Sequence, residues 1–369
     1  MKMFYSAYTC KGNIGDVLIT KLQIEEYAKY GEVFVDCHGM PDDFQKVIFD
    51  TSSPNVKNFE SEYGIYYRSV SMLKALHILN RDHFTHFCSS PGPRVSLRMP
   101  FHKLCFKLLG VLIPYLFLKK DIKKYALGVD VKYDTTSFLS NLNHWYFNHY
   151  DVIGARSIEN HKFLQPLFDN VRYVPDMSFL YPDYSPDSFK ESRCRIALSF
   201  RANDNDDIII QDLCVVLNLV YSCGMDVDII YQVEEDRSYC QQLYSKLSNS
   251  HAGTIRFIDQ MIDYQSLTKY RKYDVVISNR LHVLLLGALN GAIPFALISH
   301  NRKEKKVKDI IECVFSENLV HYFGTDYVNA FESVLSNISS LKSRVMEDIE
   351  IQRLRCCESF RQLLSSSKK

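Results

Sequence analysis

Two Rossmann-like α/β domains facing across a cleft are what this sequence predicts, and three observations predict them. The N-terminal half alternates strand-like and helix-like patterns, a proline-rich break follows, and after it the alternation starts again. The boundaries that result are residues 1–185 for the first domain, 190–325 for the second and 326–369 for a helical tail.

The first domain opens as strand, loop, helix: "MFYSAYT", "CKGNIGD", then "VLITKLQIEEYAKYG", where Leu18, Leu22, Ile24 and Tyr27 approximate one helical stripe and Gly31 ends it. "EVFVDCHG" follows as a second strand, completing a β-α-β unit that favours a parallel sheet. Residues 52–80 read as mixed and loop-rich, and "HFTHFCSSPGPR" as a strand running into a Pro/Gly turn. "YDVIGARSIENHKFLQPL" and "VRYVPDMSFLYPD" each place a short apolar strand before polar residues. Pro175, Pro182 and Pro186 mark the interdomain linker. Beyond it come "CRIALSFR", "DIIIQDLCVVLNLVYSCG", "MDVDIIYQV", "DRSYCQQLYSKLSN", "TIRFIDQ", "DVVISNR", an apolar helix and "AIPFALIS", again alternating. The tail is helical, with Leu341, Val345, Ile349 and Leu363 on one side.

Composition excludes some function classes. The 369 residues carry 44 Lys+Arg against 43 Asp+Glu, so no global charge points to nucleic acid, and any recognition of an anion must be local. Eleven cysteines form no CxxC pair and no zinc-type spacing, which reads as reduced thiols without a metal site. The N-terminus has no secretory leader pattern, so a cytoplasmic protein is expected. One segment qualifies this. The apolar run Leu108–Leu118, too short to span a bilayer, is flanked by Lys103, Lys107, Lys119, Lys120, Lys123 and Lys124. It reads either as a buried helix with a basic end or as a peripheral contact with the inner membrane face.

In open α/β sheets, ligands bind beyond the carboxyl ends of strands, where helix N-termini favour anions. That rule selects Gly12, Asn13, Gly15 and Asp16 in "KGNIGD", Arg201 after "IALSF", and Ser278, Asn279, Arg280 and His282 after "YDVVI". "GNIGD" is neither a GxGxxG fingerprint nor a Walker loop, so no nucleotide cofactor follows from it, and a plain tight turn explains it as well. For "SNRLH" the plain alternative has Ser278 capping the helix, Arg280 reaching a surface carboxylate and His282 in the interior. The helix that follows is apolar all round, which favours a ligand reading for Arg280 and His282. Arg201, Arg156 and Asp176 also end predicted strands, and each has an ion-pair or capping alternative. Arg94, in "SSPGPR", is a further candidate at the cleft edge.

The order of "GNIGDVLI", "IGARSIEN", "VPDMSFL", "IALSFR" and "ISNRLHVLLLGALNGAIPFALIS" resembles the polysaccharide pyruvyltransferase family. The resemblance implies a two-domain fold similar to B-type glycosyltransferases, and transfer of the pyruvyl group of phosphoenolpyruvate to a sugar as a ketal. It maps the family's RxH pair onto Arg280 and His282, and its arginine after the first strand of the second domain onto Arg201. At "CSSPGPR" the chain departs from the glycine-rich run common in relatives.

The residue types suit that chemistry. Guanidinium groups clamp a carboxylate or phosphate bidentately, which casts Arg280 and Arg201 as clamps. Histidine is the residue type that titrates near neutrality, which casts His282 as the acid that protonates the methylene carbon. Asp16 is the candidate base for the acceptor hydroxyl. Neither metal nor cofactor is called for, since arginines offset phosphate charge. The acceptor is a sugar of a surface or capsular polysaccharide precursor, and a lipid-linked one would suit membrane contact. Two other readings stand beside this one: a B-type glycosyltransferase using a nucleotide sugar, and a catalytically silent scaffold in glycan assembly.

Overall fold

Short runs of β-branched and aromatic residues between polar turns offset the cost of ordering only if both faces are covered, which a parallel sheet between helices achieves. The computed structural model describes residues 1–7, 13–51, 53–67, 71–94, 113–114, 116–131, 144–145, 147–189, 194–202, 206–248, 255–301, 304–325 and 327–365. Its contacts divide the chain into two compact units. Unit 1 holds Met1–Lys11, Asp16–Leu180 and Arg355–Lys369, and unit 2 holds Gly12–Gly15 and Tyr181–Leu354.

Unit 1 carries strands β1 (Lys2–Ser6), β2 (Glu32–Asp36), β3 (Val56–Asn58), β4 (His86–Ser89), β5 (Gly92–Arg94), β6 (Lys123–Val131), β7 (Val152–Ala155) and β8 (Val171–Tyr173). They form one sheet in the order β3-β2-β1-β4-β6-β7-β8, with β5 also on β6, and every pairing is parallel. Met3, Phe4 and Tyr5 of the central strand are wholly buried. The helix Ile14–Ala28 begins inside "GNIGD" and buries Leu18, Leu22, Ile24 and Tyr27 as the stripe predicts. Residues 52–80, expected to be loop-rich, instead hold β3 and the helices Phe59–Tyr63 and Met72–Arg81. Their burial explains it: Phe59, Leu76 and Leu79 enter a core cluster with Phe4, Phe34 and Phe84.

Unit 2 carries β9 (Arg195–Ser199), β10 (Asp226–Ile229), β11 (Ile255–Phe257), β12 (Val275–Ser278), β13 (Ile293–Ile298) and β14 (Val320–Tyr322), in the order β11-β10-β9-β12-β13-β14. The pairings are parallel, with Ile277 opposite Leu198 on one side and Phe295 on the other. This is the 3-2-1-4-5-6 order of the dinucleotide-binding fold, whose direction of winding reverses between its first and fourth strands, here β9 and β12.

The tail is not a body of its own. The helix Val328–Ser336 belongs to unit 2, and the long helix Ile338–Ser365 begins in unit 2 and ends in unit 1. Leu341, Val345, Ile349 and Leu363 are buried along it, so the apolar side is used up within the two cores. In unit 2 the buried Lys342 binds Asp274 at 2.5 Å, just ahead of β12. In unit 1 Phe360 packs edge-on to Tyr27 with centroids 5.1 Å apart.

Of the basic-apolar segment, residues 95–112, with Lys103 and Lys107, lie outside the described set. Leu118 and Ile122 join the aromatic core of unit 1, Leu116 and Phe117 are exposed, and Lys123 and Lys124 open strand β6 rather than end a helix. Among the described residues no helix is long and apolar enough to cross a membrane.

Candidate functional site

The site is built where β9 and β12 run out side by side. Past Ser199 the chain passes through buried Phe200 into Arg201. Past Ser278 it passes through Asn279 and Arg280 into the helix Leu281–Leu289, all nine residues of which are buried. That helix lies so close on β12 that a Cβ on Gly287 would fall 2.8 Å from Val276 Cγ2. Side chains stitch the two strand ends together. Ser278 Oγ donates to the Ser199 carbonyl and accepts from Arg280 N at 2.9 Å. Asn279 Oδ1 accepts Arg201 N at 3.0 Å, while its Nδ2 donates to Glu304 Oε1 at 2.9 Å. The N-cap position is Arg280, with no side-chain cap, so Ser278 is not the cap that the sequence suggests. Ser278 and Asn279 are occupied in holding the loops.

What they hold is a cationic pocket lined by Asn13, Arg201, Gln232, Asn279, Arg280, His282 and Lys306. Two guanidiniums share it. Arg201 Nε lies 3.7 Å from Glu304 Oε1, and Arg280 Nη2 binds Asp236 Oδ1. Burial, and after it the charge of Arg280, lowers the pKa of Arg201 against the pull of Glu304 and Asp236. Among the described residues, Arg201 Nη2 and Arg280 Nε are buried donors with no hydrogen-bond partner. Two like charges kept together with donors to spare form an arrangement that an anion would relieve. His282, 9% exposed, stands in the first turn of the helix and lines the same pocket.

The "GNIG" loop counts with this unit. Asn13 forms an antiparallel bridge with Val233, just ahead of the turn Glu234–Asp236 that carries the partner of Arg280. Asn13 Oδ1 also accepts Gly15 N at 3.1 Å. A Cβ on Gly15 would fall 2.2 Å from His282 Nδ1, so glycine here is a matter of space: the backbone lies against the imidazole. The structure thus brings Asn13, Gly15, Arg201, Ser278, Asn279, Arg280 and His282 together.

The other candidates lie in unit 1. Arg156 is buried just beyond β7, and its Nε donates to Asp130 Oδ2 at 2.7 Å. Its Nη2 binds the same oxygen, and its Nη1 reaches Asp176 Oδ2 at 3.4 Å. Burial opposes its charge most strongly, but Asp130 and Asp176, with Asp16 adding, outweigh that and raise it above the ordinary arginine value. Asp176 also accepts Ser178 N at 2.9 Å, capping the turn Met177–Leu180. Asp16 sits in the first turn of the helix Ile14–Ala28. Arg94 closes β5 opposite Val131, and its side chain lies outside the described set.

Sequence reasoning missed Asp236, Glu304, Lys306 and Gln232 here, and Asp130 in unit 1. Asp130 carried a readable signal, an acid near the end of the apolar strand "YALGVDV". Asp236, Glu304 and Lys306 stand in polar stretches, "VEEDRS" and "NRKEKK", that look like ordinary surface, and Gln232 stands at the end of the strand-like "MDVDIIYQV". Among the described residues no group of three or more His, Cys, Asp or Glu could hold a metal ion.

Comparison with known proteins adds three findings. The profile of the polysaccharide pyruvyl transferase family matches residues 13–302. No curated protein matches the chain. Similar solved structures include HepE of Anabaena in complex with UDP and glucose, at 11% identity and a TM-score of 0.59, covering 99% of this chain and 100% of that one. A putative UDP-N-acetylglucosamine 2-epimerase from Listeria monocytogenes is also similar, at 11% identity and a TM-score of 0.56, covering 96% of this chain and 90% of that one. At such identities the likeness is one of fold, the two-unit arrangement of B-type glycosyltransferases.

Proposed function

The chain belongs to the polysaccharide pyruvyl transferase family, and on that premise we propose that the pocket of unit 2 takes phosphoenolpyruvate and delivers its pyruvyl group to a sugar. One observation carries this reading: Arg201 and Arg280 share the switch-point pocket with donors to spare, and His282 stands beside them. The guanidiniums bind the carboxylate and phosphate of the donor. His282 gives a proton to the methylene carbon, forming the C–H bond of the new methyl group and leaving an oxocarbenium-like carbon. A sugar hydroxyl attacks that carbon while Asp16 takes its proton. The bond from that carbon to the phosphate oxygen breaks, inorganic phosphate departs, and a second hydroxyl closes the ketal. Of the two hydroxyl protons, one restores His282 and the other leaves with product phosphate or solvent.

Unit 1 takes the acceptor in this reading, a surface or capsular polysaccharide precursor. Exposed Leu116 and Phe117, followed by exposed Lys119 and Lys120, support a peripheral membrane contact and a lipid-linked acceptor. A second reading rests on the fold: a glycosyltransferase that takes a nucleotide sugar, a related Anabaena HepE structure being a complex with UDP-glucose. Incubating the protein with phosphoenolpyruvate and a panel of galactose-, mannose- and N-acetylhexosamine-terminated acceptors separates the two. Phosphate release with a pyruvyl mass on the glycan is expected, whereas consumption of a nucleotide sugar alone would reverse the assignment. His282→Ala should lower kcat by roughly 10²–10⁴-fold with little change in donor KM. Arg280→Ala should act mainly on donor KM.

A further inference from the structure

We propose that Asp236 is a positioning residue of the donor site: its buried carboxylate holds the Arg280 guanidinium in one place, with a donor still unpaired for the ligand. The inference rests on reading the pocket of unit 2 as the donor anion site. Asp236 closes the turn Glu234–Asp236, its side chain is only 5% exposed, and it does not line the pocket. Its Oδ1 accepts from Arg280 Nη2, while Arg280 Nε has no hydrogen-bond partner among the described residues. An arginine side chain has several rotatable bonds, and anchoring one nitrogen to a buried acceptor removes most of that freedom before a ligand arrives.

The two carboxylates near the arginines are not equivalent. Glu304 is shared out, accepting Asn279 Nδ2 on one oxygen and Ser299 N on the other, and Arg201 Nε stands off at 3.7 Å. Asp236 is given to Arg280. Burial raises the pKa of its carboxyl above the ordinary value, with the hydrogen bond and charge of Arg280, then the charge of Arg201, opposing the rise. The same turn is tied to the "GNIG" loop through the Asn13–Val233 bridge.

The test compares Asp236→Ala with Asp236→Asn, which keeps an acceptor oxygen at the same place. Steady-state kinetics with phosphoenolpyruvate and calorimetric binding of inorganic phosphate are measured on the full chain, with thermal melts as a check on folding. Asp236→Ala should raise donor KM and phosphate Kd at least about tenfold, and Asp236→Asn should stay within about threefold of the parent. A merely structural acid would instead lower the melting temperature and the amount of active protein while leaving KM and Kd unchanged in both variants, and that overturns the proposal. Should the parent bind phosphate without turning over phosphoenolpyruvate, while Asp236→Ala loses phosphate and Asp236→Asn keeps it, the positioning role stands and the donor assignment falls. Should the parent turn over phosphoenolpyruvate and Asp236→Ala keep an unaltered KM, the donor assignment stands and the positioning role falls.

Discussion

Arg156 in unit 1 and the Arg201–Arg280 pair in unit 2 follow strands in the same way, yet they differ in what is left over. All three nitrogens of Arg156 face carboxylate oxygens of Asp130 and Asp176, whereas Arg201 and Arg280 each retain a buried donor without a partner among the described residues. The first arrangement is closed by its own acids; the second keeps donors to spare. An arginine at a strand end is therefore not informative until its acids are counted.

Breaking the closed arrangement should have the largest effect on stability. Arg156→Ala breaks the buried ion pairs with Asp130 and Asp176 and should cost about 3–5 kcal/mol in denaturant unfolding, with phosphate binding by the folded protein unchanged. Arg201→Ala should do the opposite, sparing stability because it removes a like charge beside Arg280, and weakening phosphate binding at least about tenfold. Equal stability losses from both would abolish the contrast.

A pH scan sharpens the picture of unit 1. His86, on β4, is pushed down to about 4, chiefly by burial and then by the N-terminal amine, with Lys123 adding and Asp151 opposing. An unfolded histidine titrates near 6.5, so between that pH and about 4 the unfolded chain binds a proton that the folded chain does not. Stability should fall across that window as the pH drops, by up to about 3 kcal/mol, and His86→Gln should flatten the slope. A scan with the same slope in the variant would assign the acid loss elsewhere.

Smaller effects come next. Gly15→Ala drives a methyl group into His282 and should cost about 1–3 kcal/mol together with most of the turnover, while phosphate binding survives. Retention of full kcat would mean that the imidazole has no fixed place in the reaction. Least of all, Arg237→Ala breaks an exposed pair with Asp259 and should leave the melting temperature where it is.

The open site was legible because its cations follow apolar strands: "IALSFR" and "DVVISNRLH" announce where a parallel sheet presents its carboxyl edge. Their counter-ions were not legible. Asp236 lies 44 residues before Arg280, and Glu304 lies 25 residues after Asn279, so only the folded sheet brings them together. The same limit hid the fate of the tail, whose stripe signals burial but not in which core. The helix Met72–Arg81 was readable, since Met72, Ala75, Leu76 and Leu79 recur at helical spacing.

Neither unit is a continuous run of chain, and this sets an order of events during synthesis. Unit 1 contains Asp16–Leu180, which precede the bulk of unit 2, and also Arg355–Lys369, which follow all of it. Until those emerge, Tyr27 lacks Phe360 against its ring, and Tyr125 OH lacks the Leu363 carbonyl that accepts it at 3.2 Å. Unit 2 needs only Gly12–Gly15, long since made, and its own contiguous stretch. The half that is begun first is completed only after unit 2 has been made, so its core waits on a segment that lies beyond the whole of the other unit.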